Sequence, residues 1–174
     1  MATTFAMLLG LAACTGSEEP EQAELDGCAW ISDEAASDAL GSEPTGREDE
    51  SVDGGGAASN VLGCRVLGDG GYGAITQVRA VESEDKVLSD VEASRSQCER
   101  PLPLDVAGAD GLVCTSSDAA TAEGPTAWGV WDGLQVTAQL TVADTTPTGE
   151  DAAARLRPLV AAAVAEVSTD DLEP

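Results

Sequence analysis

The reactive groups of this chain are carboxylates and thiols: 32 Asp and Glu and 5 Cys, against 8 Lys and Arg and no His. Without imidazole there is no Ser-His-Asp or Cys-His nucleophile, no His proton shuttle and no His-containing zinc site. What remains is chemistry done by carboxylates, by oxygen-bound cations or by sulfur. Asp49-Glu50-Ser51-Val52-Asp53-Gly54 places oxygen side chains at positions 1, 3 and 5 and glycine at position 6, as a calcium loop does. Position 8 is then Gly56 where an apolar anchor belongs, and position 12 is Asn60 in place of the bidentate Glu. A solvated acidic loop accounts for the run without a metal. Paired carboxylates hydrolyse glycosides only when one is raised in pKa by an apolar cleft and stands at a fixed distance from the other. An abundance of acids does not place such a pair. Lys86, among Glu84, Asp85 and Asp90, reads as an ion-pairing surface residue rather than the base of a Ser-Lys dyad. The glycine runs 54–56 and 68–71 lack the Lys and the strand-to-helix setting of a phosphate loop and read as turns. No catalytic residue, metal ligand or cofactor is expected.

Trp128 and Trp131 are the candidate ligand or partner contacts. Three apart on one strand, they face opposite sides of a sheet, so at most one belongs to a core. The other can stack on a sugar, a lipid or a partner's side chain. Trp30, beside Cys28, reads as core.

Sulfur gives the address. Leu8-Leu9-Gly10-Leu11-Ala12-Ala13-Cys14 is a short apolar run closing on two small residues and a cysteine, the pattern of a lipoprotein signal in which the Cys14 thiol carries the lipid. Residues 1–13 are thus read as signal peptide and 14–25 as an acidic tether held extended by its like charges. No other stretch approaches the roughly 18 to 20 apolar residues needed to span a bilayer, so the expected membrane partner is reached through the N-terminal lipid. The net charge of −24 excludes nucleic acid as a partner.

Four cysteines remain, Cys28, Cys64, Cys98 and Cys114, an even number in a chain read as exported. Of three possible pairings, Cys28 with Cys64 and Cys98 with Cys114 is favoured, because the second joins a helix end to the next strand. Each bridge would add about 3 to 4 kcal/mol, which matters in a core with one Phe, one Tyr and three Trp. A four-cysteine zinc site would need Cys-x-x-Cys spacing, which is absent.

These residues must be positioned by a modest set of elements. Ser32, the acids after it and Gly41 delimit a short helix over 32–41, and 42–60 reads as an exposed loop. Strands over 61–67 and 72–81 flank a glycine-rich turn. A helix over 83–98 turns Val87, Leu88, Val91, Ser94 and Cys98 to one face and stops before Pro101 and Pro103. A strand over 111–114 comes next, then a hairpin over 126–142 about Asp132-Gly133. Its second arm alternates Leu134, Val136, Ala138 and Leu140 with Gln135, Thr137 and Gln139. From Thr148 an amphipathic helix presents Leu156, Leu159, Val160, Ala163, Val164 and Val167, with Pro158 expected to kink or split it. The expected fold is α+β, an antiparallel sheet of about five strands with three helices mainly on one face and two disulfides, over residues 26–168, ending in an acidic, frayed tail at 169–174.

The ensemble resembles small actinobacterial cell-envelope lipoproteins, many grouped only as a domain of unknown function. The resemblance is carried by the lipobox from Leu11 to Cys14, the Cys28-x-Trp30-Ile31-Ser32-x-Glu34 opening that runs to Leu40-Gly41, the Cys64 strand, the Asp132-Gly133 hairpin and the closing Ala/Leu/Val helix. It departs from that pattern at Cys64-Arg65-Val66, where many such proteins carry Cys-x-Trp. The resemblance implies a lipid-anchored, disulfide-braced domain on the outer face of the cell membrane, without established chemistry. The expected function is non-catalytic binding of an unidentified envelope protein or ligand; the alternatives are a carboxylate-dependent hydrolase of envelope glycans and a weak cation-binding or spacer protein.

Overall fold

The computed structural model describes residues 26–54, 60–98, 100–115, 124–141 and 146–172. The signal and tether, with Cys14, lie outside them. The fold is α+β, and its sheet is wholly antiparallel with seven strands rather than about five. In chain order the elements are α1 (Asp33–Leu40), β1 (Gly46–Asp49), β2 (Val61–Leu67), β3 (Gly73–Ala80), α2 (Glu84–Arg95), β4 (Pro101–Pro103), β5 (Asp110–Cys114), β6 (Thr126–Trp131), β7 (Leu134–Leu140) and α3 (Glu150–Glu166). The strands lie in the order β1-β2-β3-β7-β6-β5-β4.

Local chemistry sets the ends of these elements. The Ser32 hydroxyl accepts from the Ala35 N–H at 3.1 Å, and Gly41, at φ 70°, returns its N–H to the Ser37 carbonyl. Asp132 and Gly133 both have positive φ, 41° and 79°, the backbone that lets a two-residue turn follow the twist of β6 and β7. The two extra strands are the sheet's edges. β1 falls within the expected loop, and β4 is the Pro-Leu-Pro segment expected only to stop a helix. Both are short, and charge on one and proline on the other deter further pairing at the edge.

One face of the sheet is the core. Leu62, Cys64 and Val66 of β2, Ala74 and Val78 of β3, Leu134, Val136, Ala138 and Leu140 of β7, and Ala127 and Trp131 of β6 pack there under α1 and α3. α3 contributes Ala152, Ala153, Leu156, Leu159, Val160 and Ala163, all fully buried. It approaches so closely at Gly129 that a Cβ there would stand 3.0 to 3.1 Å from Val160, Leu104 and Val136. Pro158 neither splits α3 nor disturbs this stripe. Arg155 donates to the Leu40 carbonyl at the end of α1, and Arg157 to those of Leu104 and Pro103, so the helix is fastened at both flanks by its own cations. The expected frayed tail instead continues the fold through Leu172. Thr169–Leu172 is a 3-10 turn, Leu172 is buried in the core, and its carbonyl accepts from the Asn60 N–H. One buried leucine in an acidic run carries no periodicity, which is why the sequence pattern places it in solvent.

Two of the three helices, α1 and α3, lie on the core face, and α2 is the exception. It packs on β5 and β6 from the opposite side, where Val91, Leu112 and Val130 are buried outside the main core. Of its expected inward face only Val91 is buried, with Val87 and Leu88 half-buried. The Cys98–Cys114 bridge ties its C-terminal end to β5, and the Gly133 N–H donates to the Glu84 carboxylate at its start. The Cys28–Cys64 bridge fastens the turn before α1 to β2 on the core side. Trp30 is buried beside it.

Candidate functional site

The sheet's second face is covered by α2 over β5 and β6. Beyond that cover the strand register lines up side chains in rows. Gln77 of β3, Thr137 of β7, Trp128 of β6 and Leu112 of β5 are successive cross-strand partners. On one side runs the row Arg65, Ile75, Gln139, Thr126 and Cys114, and on the other Arg79, Gln135, Val130 and Asp110. Alternation sends all of these away from α3. Trp128 is half-buried at the border of α2, whereas Trp131 is 6% exposed in the core. The pair thus divides between the faces, and the contact role considered for both falls to Trp128 alone.

The side chains around Trp128 are polar and largely uncommitted. Among the described residues, Gln77, Thr137 and Gln139 make no side-chain hydrogen bond. Of the two arginines on this face, Arg65 is paired with acids and Arg79 is hydrogen-bonded to a neutral amide. Both Nε and Nη2 of Arg79 donate to Gln135 Oε1, at 3.0 and 2.7 Å, and Arg65 pairs with Glu48 and Glu50 at the β1 edge. β2, β3, β7 and β6 carry neither Asp nor Glu, in a chain of 32 acids. The surface is therefore a window free of carboxylates, made of amides, a hydroxyl, one indole and Ile75, with the Arg79 guanidinium at its border. The sequence pattern marks Trp128 and the wet side of β7 but not their union with Gln77. The signal for that union is the acid-free run of four strands.

The other candidates resolve differently. In the calcium-like run, whose residues 55–59 lie outside the described residues, Asp49 accepts from the Ser51 N–H at 2.8 Å and the Gly27 N–H at 3.2 Å. Glu50 faces Arg65, and the Gly54 N–H donates to Asn60 Oδ1. These oxygens hold the turn after β1 together. The neighbouring Ser51 hydroxyl first, and then its N–H, keep the Asp49 carboxyl below the usual carboxylate range. Glycoside hydrolysis asks for the opposite, a carboxyl raised by an apolar cleft. Among the described residues no group of three or more Cys, Asp or Glu is placed to hold a metal ion. Lys86 is exposed on α2. A shallow dish between α1 and α3, lined by Asp38, Pro147, Asp151, Ala154 and Arg155, is open, and Arg155 there is already bound to α1.

No helix of the described residues is long and apolar enough to cross a membrane, and the two disulfides are consistent with an extracytoplasmic location. No family model, curated protein or solved structure matches the chain.

Proposed function

We propose that this chain is a lipid-anchored envelope protein of the outer face of the cell membrane that binds a partner protein or envelope ligand through the half of its second sheet face that no described helix covers. The observation that carries the proposal is the half-buried Trp128 on that face, in a strand that α2 only partly covers, beside uncommitted amides and a hydroxyl. A buried indole would serve packing, as Trp131 does; a half-buried one bordered by free hydrogen-bonding groups offers both area and polarity to a partner. The anchor rests on the Leu11-Ala12-Ala13-Cys14 motif and the acidic residues that separate it from the first described residue, Asp26.

Two measurements test this. Intact-mass analysis of the native product is expected to give an N-terminus at a diacylglyceryl Cys14; an unprocessed Met1 chain with free thiols overturns the anchored, oxidised reading. Replacing Gln77 or Gln139 by p-benzoylphenylalanine and irradiating whole cells is expected to give adducts that the same residue at the exposed Ala161 of α3 does not. Equal labelling at all three positions would refute a dedicated face.

A further inference from the structure

The chemistry of the face around Trp128 selects among ligands, a selection that rests on that face being the binding surface. Of the described cations on the face, Arg65 lies between Glu48 and Glu50, while Arg79 spends two donors on one oxygen of the neutral Gln135 and keeps its charge. An anionic ligand meets one guanidinium, Arg79, at the border of the face, set against the repulsion of a molecule of net charge −24. A cationic ligand meets no carboxylate on the four strands and is drawn instead to the acidic surface elsewhere. An apolar ligand would leave the amides of Gln77 and Gln139 and the hydroxyl of Thr137 stripped of water without replacement, at a cost for each group. A ligand that matches the face is neutral, rich in hydroxyls that both donate and accept, and able to lay a C–H surface on an indole.

We propose that this face binds a neutral glycan strand. One sugar ring stacks on Trp128, while hydroxyls of that ring and its neighbour bond to Thr137 and Gln77 in the same row and to Gln139 in the next. The amides suit this task because each offers two donors and an acceptor, and so accommodates the mixed polarity of a vicinal diol. The row from Trp128 to Gln77 crosses three strands, about 10 Å at the usual strand spacing, the length of two sugar units. The Arg79–Gln135 pair borders the row. Strand pairing fixes the backbone beneath all of these side chains, so little ordering is needed on binding.

The test is titration of the purified domain with neutral hexasaccharides (an α-1,4-glucan, a β-1,4-glucan and an α-1,6-mannan) and with an oligogalacturonide as the anionic arm, read by calorimetry and by NMR of the tryptophan indoles and glutamine side-chain amides. At least one neutral saccharide is expected to bind saturably and to shift the Trp128 indole and the Gln77 and Gln139 amides, leaving the core indole of Trp131 unmoved. Trp128→Ala is expected to weaken that binding by about tenfold or more, as loss of a central aromatic does. The Gln77→Ala/Gln139→Ala pair, which removes nothing from the core, is expected to weaken it by about threefold to tenfold. Absence of any neutral-saccharide shift overturns the glycan proposal, as does tighter binding of the anionic arm. If positions 77 and 139 nevertheless crosslink a protein in whole cells, the binding face stands and only the glycan fails; if they do not, both fall.

Discussion

Removing the Cys98–Cys114 bridge by Cys98→Ala/Cys114→Ala should release α2 from the sheet without unfolding the rest. The bridge spans 16 residues, and closing a loop of that length is worth about 3 kcal/mol by chain entropy. Against this, α2 buries one side chain, Val91, worth about 1.5 to 2 kcal/mol, and 12 residues are too few for a helix to be stable alone. Leu112 and Val130 are buried on the same side and Val87 and Leu88 are half-buried, so bridge and packing are of similar size and α2 depends on both. The double variant is expected to lose about 3 kcal/mol in urea unfolding. It is also expected to lose hydrogen-exchange protection over Glu84–Arg95 well before Leu134–Leu140, with Trp128 emission shifting to the red as α2 uncovers its border. Cys28→Ala/Cys64→Ala provides the contrast. That loop spans 36 residues, worth about 4 kcal/mol, and Cys64 is wholly buried, so protection should fall across β2, β3 and α1 instead. If Glu84–Arg95 stays as protected as Leu134–Leu140 in the first variant, packing rather than the bridge secures α2, and the reasoning fails.

Four further outcomes are expected at particular residues. Gly129→Val should cost about 1 to 3 kcal/mol in thermal unfolding, because its Cβ alone already stands 3.0 Å from Val160 and its methyl groups must displace α3; an unchanged Tm would mean α3 sits more loosely than that approach implies. Thr76→Val removes a fully buried hydroxyl that has no hydrogen-bond partner among the described residues and should stabilise by up to about 1 kcal/mol, whereas a loss would show that the hydroxyl is satisfied. Asp49 has a folded pKa below its ordinary 3.8, so its stabilisation is complete above that value and lost as pH falls through the lower folded one. Asp49→Asn should thus destabilise at pH 7 by an amount that shrinks in acid, and a constant difference down to about pH 2 would contradict the sign. Tyr72 is raised above 10.0 by burial, with the nearby Arg155 guanidinium partly offsetting it, so its contribution is present below pH 10 and lost as pH climbs through the folded value. Tyr72→Phe should flatten the alkaline limb of stability against pH, and an unaltered limb would place the titration elsewhere.

Features with a strong local cause were legible in the sequence. Ser32 and Gly41 delimit α1 by cap chemistry, Asp132-Gly133 sets a turn through positive φ, and the alternation along β7 names both of its faces before any partner strand is known. Features that depend on distant partners were not. β1 is held by β2, by Arg47 reaching the Ile31 carbonyl and Asp33, and by the nearby bridge, none of which shows in the segment Gly-Arg-Glu-Asp. β4 pairs with β5 despite two prolines because an edge strand needs only one side of its ladder. The face taken by α2 was hidden for a similar reason. Its apolar side is so thin that periodicity places the residues facing inward without saying which side of the sheet lies there.

The candidate site was half legible, and the missing half comes from register. Trp128 stood out by its distance from Trp131, but Gln77 lies 51 positions earlier in the chain and joins it only through two strand pairings. The lack of acids around them is not imposed by sheet structure, although strands disfavour Asp and Glu to some extent. β1, next in the same sheet, carries Glu48 and Asp49, and β5, on the far side, begins with Asp110. Nor does the core require it, since alternation frees the second face of every strand from packing under α3. A protein of net charge −24 keeps itself soluble with carboxylates wherever the fold is indifferent, and across β2, β3, β7 and β6 it uses amides, threonines and arginines tied to neighbours instead. That substitution yields a surface on which a ligand meets no carboxylate, and it is the property to perturb. Thr137→Glu, which leaves the core face untouched, should abolish recognition of a neutral ligand's stacked ring through the carboxylate's bulk and tightly held water, while thermal stability stays within about 0.5 kcal/mol of the parent. Full binding by this variant would show that the ligand engages some other part of the molecule.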